Sequence, residues 1–119
     1  MNPIAEQLKA RTKAFALDVI RFVSDLPRTS AADVMGRQLL KAGTGVAANY
    51  RATCRSRSHA EFAARIGVVL EEADESELWL ELFVESNLKN ITVPPSLVQE
   101  SHELRAIFAQ SNITARRRK

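Results

Sequence analysis

The sequence predicts an all-α protein, an antiparallel up-down-up-down four-helix bundle. Three observations predict it. Apolar residues recur at steps of three, four or seven along four separate stretches, serine caps and prolines punctuate those stretches, and no pair of alternating segments reads as strands. Short connections between successive helices make them antiparallel neighbours.

The first stripe, Ile4, Leu8, Phe15, Val19, Phe22 and Leu26, gives a helix over about 4–26 that stops at Pro27. The second runs Ala32, Met35, Leu39, Ala42, Val46, Tyr50 and Thr53, over about 31–55, with Ser30 as its expected N-cap. Ser58 and Glu61 form an S-x-x-E capping box ahead of Phe62, Ile66, Val69, Ala73, Leu80 and Phe83, which sets the third helix at about 59–86. Asn87 to Pro95 reads as a loop. Ser96 and Gln99 then open the shortest helix, about 96–112, through Leu97, Leu104, Ile107 and Phe108. Residues 1–115 thus form one domain, and Arg116, Arg117, Arg118 and Lys119 are expected to form a basic, mobile tail.

A chain of 119 residues can bury a core without crosslinks, and its single cysteine, Cys54, cannot form an intrachain disulfide. No apolar run approaches the ~18 residues of a membrane span, and no secretory signal opens the chain. The expectation is a cytoplasmic protein with no membrane partner. Charge is unevenly divided: residues 1–65 carry eleven Lys or Arg against five acids, and residues 66–115 carry two against nine. Such a division suits anion binding or pairing between copies.

Gly36, Gly43, Gly45 and Gly67 all fall inside predicted helices, where each costs about 1 kcal/mol relative to alanine. The small residues from Ala42 to Ala48 allow a close helix crossing, either within the chain or between copies. Leu17 and Ile20 on helix one, and Val68, Leu78, Trp79 and Leu82 on helix three, lie off the core stripes and are candidate oligomer contacts.

The stretches GVAANYRATCRSRS and AEFAARIGVVLEEADESELWLEL resemble the four-helix-bundle proteins known as 23S ribosomal RNA intervening-sequence proteins. The matching positions are Asn49, Tyr50, Ser58, Phe62, Glu72, Ala73, Glu75, Trp79 and Leu80. Ala52 or Thr53 stands where many members carry Glu. The resemblance implies a ring-like homo-oligomer, typically a homopentamer, with no enzymatic activity. It also implies, at the level of fold, a link to basic rings that bind nucleic acid.

Arg37, Lys41, Arg51 and Arg55 cluster opposite the core side of helix two, and Arg57 extends them into the following loop. With Arg116, Arg117, Arg118 and Lys119 they are the candidate RNA or DNA contacts, meeting phosphate rather than reading bases. The alternatives are a solvated face, or pairing with the acids of helix three, Glu71, Glu72, Asp74, Glu75, Glu77, Glu81 and Glu85. A protein-interaction scaffold is the competing function.

Catalysis fits poorly. No Glu-x-x-His pair supports a carboxylate-bridged metal, so no metal and no cofactor are expected. His59 and His102 read as surface residues, Cys54 as a half-buried thiol, Asn49 as a bridge between helices and Tyr50 as a buried ring with a partnered hydroxyl.

Overall fold

A computed structural model describes residues 2–118. It contains four helices, α1 (Pro3–Ser24), α2 (Ser30–Thr53), α3 (His59–Glu85) and α4 (Pro95–Arg117), and no strand among the described residues.

Local chemistry sets each start. In α1 the Asn2 carboxamide oxygen accepts from the Ile4 amide at 2.9 Å, and Pro3 occupies a first-turn position where no amide hydrogen is needed. The cap of α2 is Thr29 rather than Ser30, its hydroxyl accepting from the Ala32 amide at 3.2 Å. Ser58 caps α3 as expected, accepting from the Glu61 amide at 3.0 Å. The return bond of the box shifts by one residue, because Glu61 accepts from the Arg57 amide. For α4 the expected Ser96 cap is absent. Pro94 is the N-cap and Pro95 opens the helix without a side-chain cap, while Gln99 donates to Glu103 instead. Proline at the helix start fixes φ and removes one orphan donor, so the start moves ahead of the serine.

The same helix runs five residues beyond the expected 112. Ala115 is buried, and the His59 Nε2–H donates to its carbonyl at 2.9 Å, tying the end of α4 to the start of α3. Arg116 and Arg117 therefore belong to the last helical turn, where cations oppose the negative end of the dipole. Arg118 is the C-cap, and Lys119 lies outside the described residues.

Each helix packs along its neighbours in the chain, and α4 returns beside α1; the diagonal pairs α1/α3 and α2/α4 make no backbone approach. Direction follows from the pairings. Val23 and Leu26 meet Gly36, whereas Ile4 and Leu8 lie by Tyr50, so α1 and α2 are antiparallel. His59 meets Ala115 and Glu77 meets His102, so α3 and α4 are too.

The core is a single cluster that includes Phe15, Val19, Leu39, Val46, Ile66, Leu80 and Leu104. Aromatic rings bridge both diagonals: Phe22 and Phe83 meet edge-on at 5.2 Å, and Tyr50 and Phe108 at 5.4 Å. Large rings sit there because the diagonal is the widest gap in a four-helix section. No fully buried side-chain nitrogen or oxygen among the described residues lacks a hydrogen-bond partner.

Candidate nucleic-acid interface

The outward side of α2 presents Arg37, Lys41 and Arg51; the helix ends at Thr53 rather than the expected 55, so Arg55 lies with Arg57 in the loop beyond, and all five are exposed. None makes an ion pair among the described residues. From Arg37 to Arg51 the row spans about 21 Å along the helix axis. Between Lys41 and Arg51 lie Thr44, Ala47 and Ala48, whose small side chains floor a groove of ≈ 500 Å³ against α1. Lys9, Lys13 and Arg51 rim that groove, and Lys9 is paired there with Glu6 at 2.6 Å. Lys9 and Lys13 were not among the sequence-based candidates. Their signal is that Lys13 shares a step of three or four with Ala10 and Leu17 on the outer side of α1.

Arg116, Arg117 and Arg118 are exposed, with Arg116 donating to Asn112 at 3.4 Å. They lie at the end of the bundle that holds the α2–α3 loop, as the His59–Ala115 bond shows. Arg55, Arg57 and the terminal arginines therefore share one end of the molecule.

Other cations are committed to holding helices together. The Arg11 guanidinium spans α1 to α4, donating to Glu100 at 2.7 and 2.8 Å and to Glu103 at 2.7 Å. The Glu100 hydrogen bond outweighs partial burial, Glu103 adds to it, and the Arg11 pKa is raised. Gln99, and after it Arg11, lower that of Glu103.

The acids of α3 are not one exposed face. Glu77 is buried, accepting from His102 Nδ1–H at 2.6 Å and from Arg105 Nε at 3.2 Å, so it clamps α3 to α4. His102 is accordingly half-buried and partnered rather than a plain surface residue. Glu81 joins them, the ligand atoms of Glu77, Glu81 and His102 all lying within 4.8 Å of one another, but Arg105 supplies the charge that a cation would otherwise bring.

Glu72 sits on the other side of α3, against α2. Its carboxyl rests on Gly45, where a Cβ would stand 2.5 Å from Glu72 Oε2, so glycine is what lets the side chain lie flat. Asn49 does not bridge helices: its Nδ2 donates to the Gly45 carbonyl of its own helix at 2.9 Å. Desolvation, reinforced by Glu75 and opposed by Lys41, raises the Glu72 pKa. A raised folded-state value means that the ionised carboxylate costs stability above that pKa and that the cost disappears as pH falls through it. Glu72→Gln is expected to raise the neutral-pH melting temperature and to flatten its pH dependence; a lower melting temperature at pH 7 would contradict this.

Of the remaining family-motif residues, Glu75 is exposed on α3 and the others pack or cap. Tyr50 is buried, and burial together with the Cys54 thiol raises its pKa. Cys54 itself is exposed rather than half-buried. Ser58 caps α3, and Phe62 packs half-buried against the core. Of the oligomer candidates, Leu17, Ile20, Val68, Leu78 and Leu82 are exposed, while Trp79 packs partly buried against the core. No helix among the described residues is long and apolar enough to cross a membrane.

No protein-family model and no curated protein matches the chain. Among solved structures, a protein of unknown function from the S23 ribosomal protein family of Bacteroides thetaiotaomicron VPI-5482 superposes with a TM-score of 0.78 at 27% identity. The alignment covers 91% of this chain and 96% of that one. The chain shares the four-helix fold of that S23 ribosomal protein family member. The likeness of fold covers far more of the chain than the stretches around Asn49, Tyr50, Glu72 and Trp79.

Proposed function

We propose that this S23-type bundle is a nonenzymatic cytoplasmic protein that assembles into a ring-like homo-oligomer and holds RNA or DNA through phosphate contacts from α2. Five copies is the number its family resemblance implies. One observation carries the nucleic-acid part: Arg37, Lys41, Arg51, Arg55 and Arg57 are exposed and free of ion pairs among the described residues, although the chain has acids to spare. A row of unpaired cations is a counterion-releasing surface. Arginine adds bidentate geometry toward phosphate. The aromatic rings of the core leave none on α2's outer row to stack on bases, so binding is led by charge and shape.

The test is fluorescence anisotropy with labelled RNA and DNA across a salt series. Arg51→Glu combined with Arg55→Glu should weaken binding about 30-fold or more at 0.1 M salt and reduce the slope of log K against log salt by about 2, with the oligomer mass unchanged. Unaltered binding in that variant would remove the α2 row from the site.

A scaffold for a basic protein is the second reading. It is favoured by Glu71, Glu72, Asp74, Glu75 and Glu85 on α3, which also make no ion pair among the described residues. No nucleic-acid binding at low salt, with recovery of one protein partner that Glu71→Lys abolishes, would decide for it.

A further inference from the structure

The outward sides of α1 and α3 carry complementary stripes. On α3, Val68, Glu71, Glu75, Leu78 and Leu82 follow steps of three, four, three and four, and all are exposed. On α1, Ala10, Lys13, Leu17 and Ile20 follow steps of three, four and three, and all are exposed as well. Such spacing makes each stripe one seam of the kind that packs helix against helix. Among the described residues the two seams do not meet each other, because α1 and α3 lie on a diagonal of the bundle; Ala10 and Lys13 border the groove against α2, and the rest of each stripe points away from the core.

We propose that the α1 stripe of one copy packs against the α3 stripe of a second copy, a head-to-tail contact that each copy makes once on either side. The inference rests on the homo-oligomer reading above and names its surfaces. Charge selects this pairing. An α3 stripe set against another α3 stripe would oppose Glu71 and Glu75 with themselves, and α1 against α1 would oppose Lys13, with Lys9 and Arg51 close by. In the mixed pairing Lys13 falls opposite Glu71 if the helices run parallel and opposite Glu75 if they run antiparallel, so one acid is met in either direction. The acids also make the α3 stripe unfit for phosphate, which leaves a basic surface as its partner. Because the two stripes sit at opposite corners, one neighbour cannot cover both. The contact is heterologous and propagates, as a ring requires.

Two face-breaking variants test it, measured by light scattering coupled to gel filtration. Leu17→Glu spoils the α1 stripe and leaves α3 intact; Leu78→Glu does the reverse. Each alone should run at the mass of one chain, with unchanged helical circular dichroism because both positions are exposed. Mixed in equal amounts, they should give a dimer and nothing larger, since exactly one good α1 stripe meets one good α3 stripe. Wild-type mass in either variant overturns the assignment, as does a mixture that stays monomeric. Unchanged mass with lost RNA binding in Leu17→Glu would assign the α1 stripe to nucleic acid instead. A wild-type chain that is itself monomeric at all concentrations overturns the oligomer reading and this contact with it, whereas an oligomer indifferent to both substitutions overturns only the contact.

Discussion

Phe108→Ala is expected to cost about 3–5 kcal/mol, the range for removing a fully buried aromatic ring. Phe108 is 0% exposed and lies in the α2–α4 diagonal, its ring centroid 5.4 Å from that of Tyr50. Backbones do not approach across that diagonal, so nothing but side chains can fill it, and the surrounding helices cannot close on the void without giving up their contacts along α3. The loss would be a large share of the roughly 5–15 kcal/mol that holds a domain folded. For a chain of this length it corresponds to a fall in melting temperature of about 10–20 °C. Phe62→Ala, at a half-buried position, is the comparison and should cost about a third as much. Thermal melts followed by circular dichroism measure both. A fall of less than about 3 °C for Phe108→Ala would mean that the diagonal is not packed as described.

Phe108 also shows what a sequence reveals and what it hides. Its stripe, Leu97, Leu104 and Phe108, is visible at helical spacing, as are the stripes through Phe15, Leu39 and Ile66, because a core-facing residue must be apolar whichever neighbour it meets. The last turn of α4 is not visible in this way. Its inward positions after Phe108 are Ser111 and Ala115, too small to register as a hydrophobic stripe, although Ala115 is buried. Its start differs from the expected one because Ser96 offers a better cap than proline by preference, while the Pro94–Pro95 pair fixes the backbone first.

Charged residues were less legible than apolar ones, for a related reason. Glu77 has the same composition around it as Glu71 or Glu75, yet it faces the α3–α4 seam and meets His102 and Arg105. Arg11 reaches Glu100 and Glu103 across most of the chain. Neither pairing obeys a local spacing rule, since each depends on how two helices are set against one another. Arg37, Lys41 and Arg51 on α2 were legible because they have no such partner: a row opposite the core stripe is exposed by helix geometry alone, whereas Arg55 lies past the helix end. Lys9 and Lys13 became candidates only once the α1–α2 groove placed them beside Arg51.

Gly43→Val is expected to cost about 3 kcal/mol. An added Cβ at Gly43 would stand 2.9 and 3.0 Å from the two γ-carbons of Val19 and 3.2 Å from its Cβ, closer than side chains pack. Val19 is itself fully buried and β-branched, so it has no rotamer into which to retreat. The helices must therefore separate, and overpacking of this kind costs about 1–3 kcal/mol before the valine's own γ-carbons are placed. Gain in helix propensity recovers less than about 1 kcal/mol. Gly67→Ala supplies the opposite sign, because the nearest atom to its Cβ would be Asn112 Oδ1 at 3.7 Å, an ordinary contact. That substitution should stabilise the bundle by about 0.5–1 kcal/mol. Chemical denaturation of both variants checks the pair. If Gly43→Val is as stable as the wild type, the close α1–α2 crossing that brings Lys13 beside Arg51, and with it the floor of the basic groove, is not the one described.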